Sequence, residues 1–339
     1  MEPAENILEV RNLVTAFDTD AGQVTAVDQV SFDVPRSRTL GIVGESGCGK
    51  SVTAFSIMRL LPQPMGKILS GNINFAGKDL AQCQAEDMRK IRGARISMIF
   101  QEPMSALNPL HRVGKQLSEI YQLHKPEMTK KEAWDASTKM LHKVGIPSPE
   151  IRVGEYPHQL SGGMRQRVVI AIALALKPQL VIADEPTTAL DVTIQAQILE
   201  LMKSLQHEMG MSIIMITHDL GVIAETCDNV VVMYAGRVAE VGTTDQIFYN
   251  PQHLYTKGLL ESIPRLENER KSKLPTISGL VPSLAEMPVG ARFAPRSPSP
   301  LAGDYLESEE FKTVRPTLKE IESGHWVENC PAVLVNSLH

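Results

Sequence analysis

With 339 residues, 43% of them apolar and 22% charged, the chain is long enough to bury a large core and to divide into more than one domain. Its net charge of -5 gives no electrostatic ground for nucleic acid as a partner. The four cysteines, Cys48, Cys83, Cys227 and Cys330, are too scattered for a disulfide framework or a zinc site.

From the N-terminus, MEPAENILEV lacks the basic-then-apolar order of a secretory signal. ILEVRNL (7–13), VTAVDQVSFDV (24–34) and GNINFAGKDL (71–80) alternate β-branched and polar residues, which predicts antiparallel strands. Four short apolar runs, LGIV (40–43), ISMIF (96–100), LVIA (180–183) and IIMIT (213–217), end in polar residues and have helical stretches between them. That is the pattern of a buried parallel sheet. Between the second and third runs, Thr129 and Glu132 fit a capping box. Ala133, Ala136, Met140 and Val144 then keep helical spacing, and Gly145 suits the stop. The longest apolar run, VVIAIALAL (168–176), lies between Arg167 and Lys177 and is too short to span a bilayer, so it reads as a buried helix. Beyond about Pro264 the texture changes to Pro, Ser and short apolar pieces, which marks an extension. A soluble, reduced, cytosolic chain is the expectation.

Three motifs carry chemistry. GESGCGKS follows LGIV directly and opens a helix-like stretch. It runs from Gly44 through Glu45, Ser46, Gly47, Cys48, Gly49 and Lys50 to Ser51, and Val52, the next residue, is a further candidate for nucleotide binding. Its glycines let successive N–H groups converge on phosphate oxygens at a helix N-terminus, where Lys50 reaches the β- and γ-phosphates and the Ser51 hydroxyl ligates Mg²⁺. LVIADEP ends a strand in Asp184, suited to hold hydrated Mg²⁺, and in Glu185, suited to orient and deprotonate a water. LSGGMRQR (160–167) supplies a second backbone nest, at Ser161, Gly162 and Gly163, ahead of a long helix. One chain with one phosphate loop has no use for a second nest on the same nucleotide, whereas two chains arranged head-to-tail do.

These motifs, with ADEPTTALD (183–191), resemble the ATP-binding cassette family. The resemblance implies an α/β fold: a phosphate-loop parallel-sheet core with an antiparallel β subdomain and a helical signature subdomain. It also implies ATP and Mg²⁺ as cofactors. In the family's pattern Gln101 touches Mg²⁺ and the attacking water, Asp191 lies in the loop crossing the dimer interface, and His218 contacts the γ-phosphate. Phe17 fits either an aromatic stacked on adenine or a core strand residue.

AVDQVSF, IFQEPMSALNP, ADEPTTALDVTIQAQIL and NPQHLYTKGLLESIP (250–264) narrow the resemblance to the ATPases of dipeptide, oligopeptide and nickel importers, with Leu254 where that group usually has proline. This implies a nucleotide-binding domain over 1–264, its helical subdomain at about 102–175, and a small C-terminal extension over 265–339. It further implies a peripheral subunit on the cytoplasmic face of the inner membrane. Its partners would be two membrane-spanning permease subunits, a second related ATPase or a self-dimer, and, indirectly, an external solute-binding protein. Nickel or oligosaccharide import, a soluble cassette ATPase in DNA repair or translation, and a catalytically dead cassette are the alternatives. The single cassette, the absence of heptads and the intact Lys50, Asp184, Glu185 and His218 weigh against the last two.

Residues 102–109, EPMSALNP, are where the family docks its coupling helices, so Met104 and Leu107 are expected to form an apolar socket. VGARFAPRSP (289–298) resembles a turn in peptide-importer ATPases, Gly-Cys-x-Phe-x-Pro-Arg-Cys, that can ligate an iron–sulfur cluster. Here Ala291 and Ser297 stand at the cysteine positions, Cys330 is the remaining downstream cysteine, and His325 is a poor substitute for a thiolate. No cluster is expected, and Phe293 should be buried with the turn kept as packing.

Overall fold

The computed structural model describes residues 5–20, 22–101, 106–188, 190–263 and 275–338. Its strands in chain order are β1 (Asn6–Thr19), β2 (Gly22–Pro35), β3 (Thr39–Val43), β4 (Gly66–Phe75), β5 (Lys78–Asp79) and β6 (Ile96–Ile99). There follow β7 (Leu180–Asp184), β8 (Ser212–Ile216), β9 (Asn229–Tyr234), β10 (Arg237–Thr243), β11 (Leu318–Glu322) and β12 (His325–Glu328). They fall into two compact units interleaved along the chain.

The first unit comprises Val34–Thr39 and Gln82–Ile216 with the start of β1. Strands β6, β7 and β8 run parallel, with Ile96 beside Leu180 and Leu180 beside Ser212. Every residue of the three is buried. That is why they read as continuous apolar runs rather than alternating ones: both faces are covered. The helical part holds Val113–His124, Lys130–Lys143 and Gly162–Leu174 around Tyr121, Ala133 and Ala175. The capping box forms as the sequence predicts. The Glu132 N–H donates to the Thr129 hydroxyl oxygen, and the Glu132 carboxylate accepts from the Thr129 N–H at 2.8 Å. Residues 168–174 of the apolar run form the C-terminal half of the helix Gly162–Leu174, with Val168, Ile170 and Ala171 fully enclosed.

The second unit comprises Leu8–Asp33, Leu40–Ala81 and the chain from Thr217 onward. It carries the four-stranded sheet β2-β1-β4-β5, in which Leu8 faces Phe75 antiparallel. It also carries β3 parallel to β9, followed in order by β10, β12 and β11 with antiparallel neighbours. The sequence reading did not single out β9 and β10, although NVVVMY and RVAEVGT flank a turn at Ala235 (φ 47°) and Gly236 (φ 84°).

The C-terminal extension is fastened to this unit by charge as well as by strand addition. Asp28 on β2 receives Arg237 at 2.9 Å, Arg292 at 2.6 Å and Arg315. Burial raises the Asp28 pKa, but the charges of Arg237, Arg315 and Arg292 outweigh it and hold the carboxyl below its usual value. A depressed folded pKa contributes stability that is present above the unfolded value, near pH 4, and is lost as pH falls through the folded one. Asp28→Asn strands three arginines, so it should lower stability by roughly 3 kcal/mol at pH 7. Urea unfolding should show the gap between wild type and variant narrowing below about pH 4; a constant gap would contradict this account.

Candidate functional site

In the second unit, β3 runs into the loop 44–49, and the helix Lys50–Met58 starts at its end. Gly44 has φ +148°, and a Cβ there would lie 2.1 Å from the Met233 carbonyl oxygen on β9. Gly49 has φ +102°, and its Cβ would lie 2.8 Å from the Ala26 carbonyl oxygen. Only glycine fits either position, so the loop lies directly against its neighbouring backbone. The Cys48 carbonyl accepts from the Gly236 N–H at 2.9 Å, and the Gly236 carbonyl accepts from the Asp28 N–H at 2.8 Å. Burial pushes the Cys48 thiol up, so it is an inert packing group. Lys50 is buried, and its ammonium donates to the Gly44 carbonyl at 2.7 Å and the Glu45 carbonyl at 3.1 Å.

His218 follows β8 and is exposed. It shares a cavity of about 310 Å³ with Gly44, Glu45 and Asp219–Gly221. The Asp219 carboxylate caps the next helix by accepting from the Gly221 N–H at 2.8 Å, which fixes the residue beside the histidine. The structure therefore brings His218 to the start of the phosphate loop. Phe17 is half-buried near the end of β1, where a Cβ on Gly66 would come within 3.0 Å of its ring.

In the first unit, β7 ends in Asp184, only 3% exposed, and the next residue, Glu185, takes φ 47°. A non-glycine residue in that region is strained and needs anchors. The Glu185 N–H donates to the Ile216 carbonyl at 2.8 Å. Its carboxylate accepts from Gln101 Nε2 at 2.9 Å and from the Thr188 hydroxyl at 2.8 Å. Gln101 and Glu185, 84 positions apart, are thus in direct contact. Ser161 caps the helix Gly162–Leu174, its hydroxyl accepting from the Met164 N–H at 3.3 Å. Asp191 caps Val192–Met209 through the Ile194 N–H at 3.0 Å. A Cβ on Gly163 would lie 3.0 Å from Ile194, so these two helix starts are neighbours.

Thr188, Tyr255 and Gln166 were not anticipated from sequence. Gln166, 1% exposed, donates to the Pro186 carbonyl and so ties the helix after Ser161 to the Glu185 turn. A buried-face glutamine in LSGGMRQR is the signal that could have pointed to it. Residues 102–105, including Met104, lie outside the described residues. Leu107 corrects the socket expectation: it is 2% exposed, part of the core, while Leu110 is 80% exposed.

The turn 289–298 is packed. Phe293, 2% exposed, meets Tyr234 edge-on at 5.3 Å, Tyr255 at 5.4 Å and His253 at 5.7 Å between ring centres. Ala291 is fully buried, the Ser297 hydroxyl donates to the Ala332 carbonyl, and His325 donates to Glu240 at 2.7 Å. Burial raises the pKa of the Cys330 thiol. One buried thiol and three committed or donor-less neighbours do not fit a four-ligand cluster.

A glycine loop on a strand-to-helix turn, a carboxylate-terminated parallel strand and a capped serine-glycine helix start define a nucleotide-binding ATPase of the cassette class. The family profile "ABC transporter" matches residues 27–188, and "Oligopeptide/dipeptide transporter, C-terminal region" matches residues 239–302. The chain is 50% identical over 323 residues to the oligopeptide transport ATP-binding protein OppD of Bacillus subtilis (strain 168), covering 95% of this chain and 88% of that one. It is 56% identical over 295 residues to the dipeptide transport ATP-binding protein DppD of the same organism, covering 87% and 88%. Among solved structures it matches the dimeric post-hydrolysis state of the ATP-binding cassette MJ0796 bound to ADP and Pi, with TM-score 0.63 and 25% identity, over 70% of this chain and 98% of that one. The chain belongs to the ABC transporter family, in the group that carries the oligopeptide/dipeptide transporter C-terminal region.

The loop geometry sets a test. Gly44→Ala should lower stability by more than about 2 kcal/mol and abolish the ATP-induced shift in thermal unfolding. Gly47→Ala, with no atom within 4 Å of its added Cβ, should cost only the left-handed backbone term of roughly 1 kcal/mol. Equal effects of the two would contradict the close-approach argument.

Proposed function

We propose that this chain is the ATP-hydrolysing subunit of an importer of dipeptides or oligopeptides, acting as a peripheral subunit on the inner face of the membrane. Among the described residues no helix is long and apolar enough to cross a bilayer, and the relatives' names, ATP-binding proteins of peptide transport, support two membrane-spanning permease subunits as partners. The relatives' names and the match of the C-terminal region support the peptide substrate class. Residues 1–264 form the ATP-binding domain, with a helical subdomain near 102–175, and 265–339 form the extension.

The observation that carries hydrolysis is the contact between Gln101 Nε2 and Glu185 Oε2. Glu185, oriented by Gln101 and Thr188, accepts a proton from the attacking water. Lys50 exchanges its bonds to the Gly44 and Glu45 carbonyls for the β- and γ-phosphates, and His218 contacts the γ-phosphate. Ser51, Gln101 and Asp184 offer the hard oxygen donors that Mg²⁺ takes, and the deep burial of Asp184 suits a carboxylate whose charge a cation compensates. When bound, the ion neutralises charge on the β- and γ-oxygens. Ser161, Gly162 and Gly163 complete the site of an opposing ATPase, a second copy or a related chain, with Asp191 at that interface. The half-buried Phe17 provides a face for adenine.

Glu185→Gln should reduce steady-state ATPase roughly 10²–10⁴-fold while leaving ATP affinity within a few-fold. Size-exclusion chromatography with ATP should then show a stable cassette pair, and adding Ser161→Arg should dissolve it. Near wild-type hydrolysis by Glu185→Gln would remove Glu185 from the mechanism. For the extension, anaerobic purification should yield iron and acid-labile sulfide far below one cluster per chain. Stoichiometric amounts of both would overturn the reading of Ala291 and Ser297.

A further inference from the structure

Arg296 lies in the short turn Ala294–Arg296 of the extension, after Pro295, and its side chain is 5% exposed. Its guanidinium reaches the phosphate loop. One terminal nitrogen donates to Glu45 Oε2 at 2.6 Å and the other to Glu45 Oε1 at 3.0 Å. The fork is fixed from behind: Nε donates to the Ser278 carbonyl at 2.8 Å, and the group lies 5.7 Å over the Tyr234 ring. The buried Phe293 anchors the turn, its carbonyl accepting from the Arg296 N–H at 2.9 Å.

Glu45 is therefore held at every polar group. Its carboxylate is held by Arg296, its N–H donates to the Tyr255 hydroxyl at 2.8 Å, and its carbonyl accepts from Lys50. Two of these three partners lie more than 200 positions away in the chain. A carboxylate in the loop that receives a triphosphate opposes binding unless its charge is compensated. A two-pronged arginine is the strongest side-chain compensation available, and it fixes orientation as well.

We propose that Arg296 is a positioning residue for ATP: it neutralises Glu45 and holds the phosphate loop in its binding geometry, so the C-terminal extension sets nucleotide affinity. This rests on the reading of Gly44–Ser51 as the ATP site. The extension is then a working part of the nucleotide site, and whatever displaces the turn 289–298 also weakens ATP.

The test is equilibrium titration of the full chain with MgATP for wild type, Lys50→Ala, Arg296→Gln, Arg296→Lys, Glu45→Gln and the double variant Glu45→Gln/Arg296→Gln. Circular dichroism confirms that each is folded. Arg296→Gln should raise the ATP Kd about tenfold, equivalent to about 1.4 kcal/mol. Glu45→Gln should raise it two- to three-fold, and the double variant should return to that level, because no unpaired carboxylate remains. Arg296→Lys, keeping the charge without the fork, should fall between wild type and Arg296→Gln. The Arg296→Gln defect should shrink as salt is raised, as an electrostatic origin requires. Unchanged affinity in folded Arg296→Gln, or additive losses in the double variant, would overturn the proposal. If Arg296→Gln does not fold, equal affinities of Arg296→Lys and wild type would overturn it. Failure of wild type to bind ATP, or unaltered binding by Lys50→Ala, would instead overturn the reading of the loop itself.

Discussion

The approach of Gly44 to the Met233 carbonyl is closer than any side chain allows, and much of the second unit follows from it. A backbone can pass that near another only where Cβ is missing, and the loop does so on its way to the head of the helix Lys50–Met58. The same requirement ties the loop to its surroundings. Cys48 is bonded to Gly236, Gly236 to Asp28, and Asp28 to three arginines, two of them from the extension. The loop is thus the inner end of a bonded path that reaches the C-terminal region.

The carboxylate side obeys a different rule. Asp184 ends a strand buried along its whole length, and Glu185 must leave that strand in a left-handed conformation to present its side chain. Such a backbone costs of order 1–3 kcal/mol and persists where its surroundings over-determine it. The Ile216 carbonyl, Thr188, Gln101 and the hold of Gln166 on Pro186 do so here. Charge placement at a strand end, rather than chain flexibility, gives this carboxylate its fixed direction.

In the extension, apolar and ionic contacts hold the turn 289–298. Phe293 fills a cage of Tyr234, Tyr255 and His253, and the same stretch presents Arg292 to Asp28 and Arg296 to Glu45. A turn held by aromatic packing and buried ion pairs needs no inorganic core to keep its shape. Its two arginines give it contacts with the rest of the unit that a cluster would not supply.

The sequence alone determined those features whose physics is local. Glycine spacing in GESGCGKS, the apolar runs ending in Asp184 and Thr217, the Thr129 capping box and the serine-glycine helix start each encode a backbone geometry within a few residues. Only the tertiary structure decided what depends on distant neighbours. It showed that Leu107 is core rather than socket, that β9 stands beside β3 with β10 beyond it, and that Gln166 and Thr188 brace the turn at Glu185. It showed, too, that Tyr255 and Arg296 close on Glu45 across 210 and 251 positions. Burial and long-range pairing are set by which surfaces meet when the chain closes, and no local pattern of residue types carries that information.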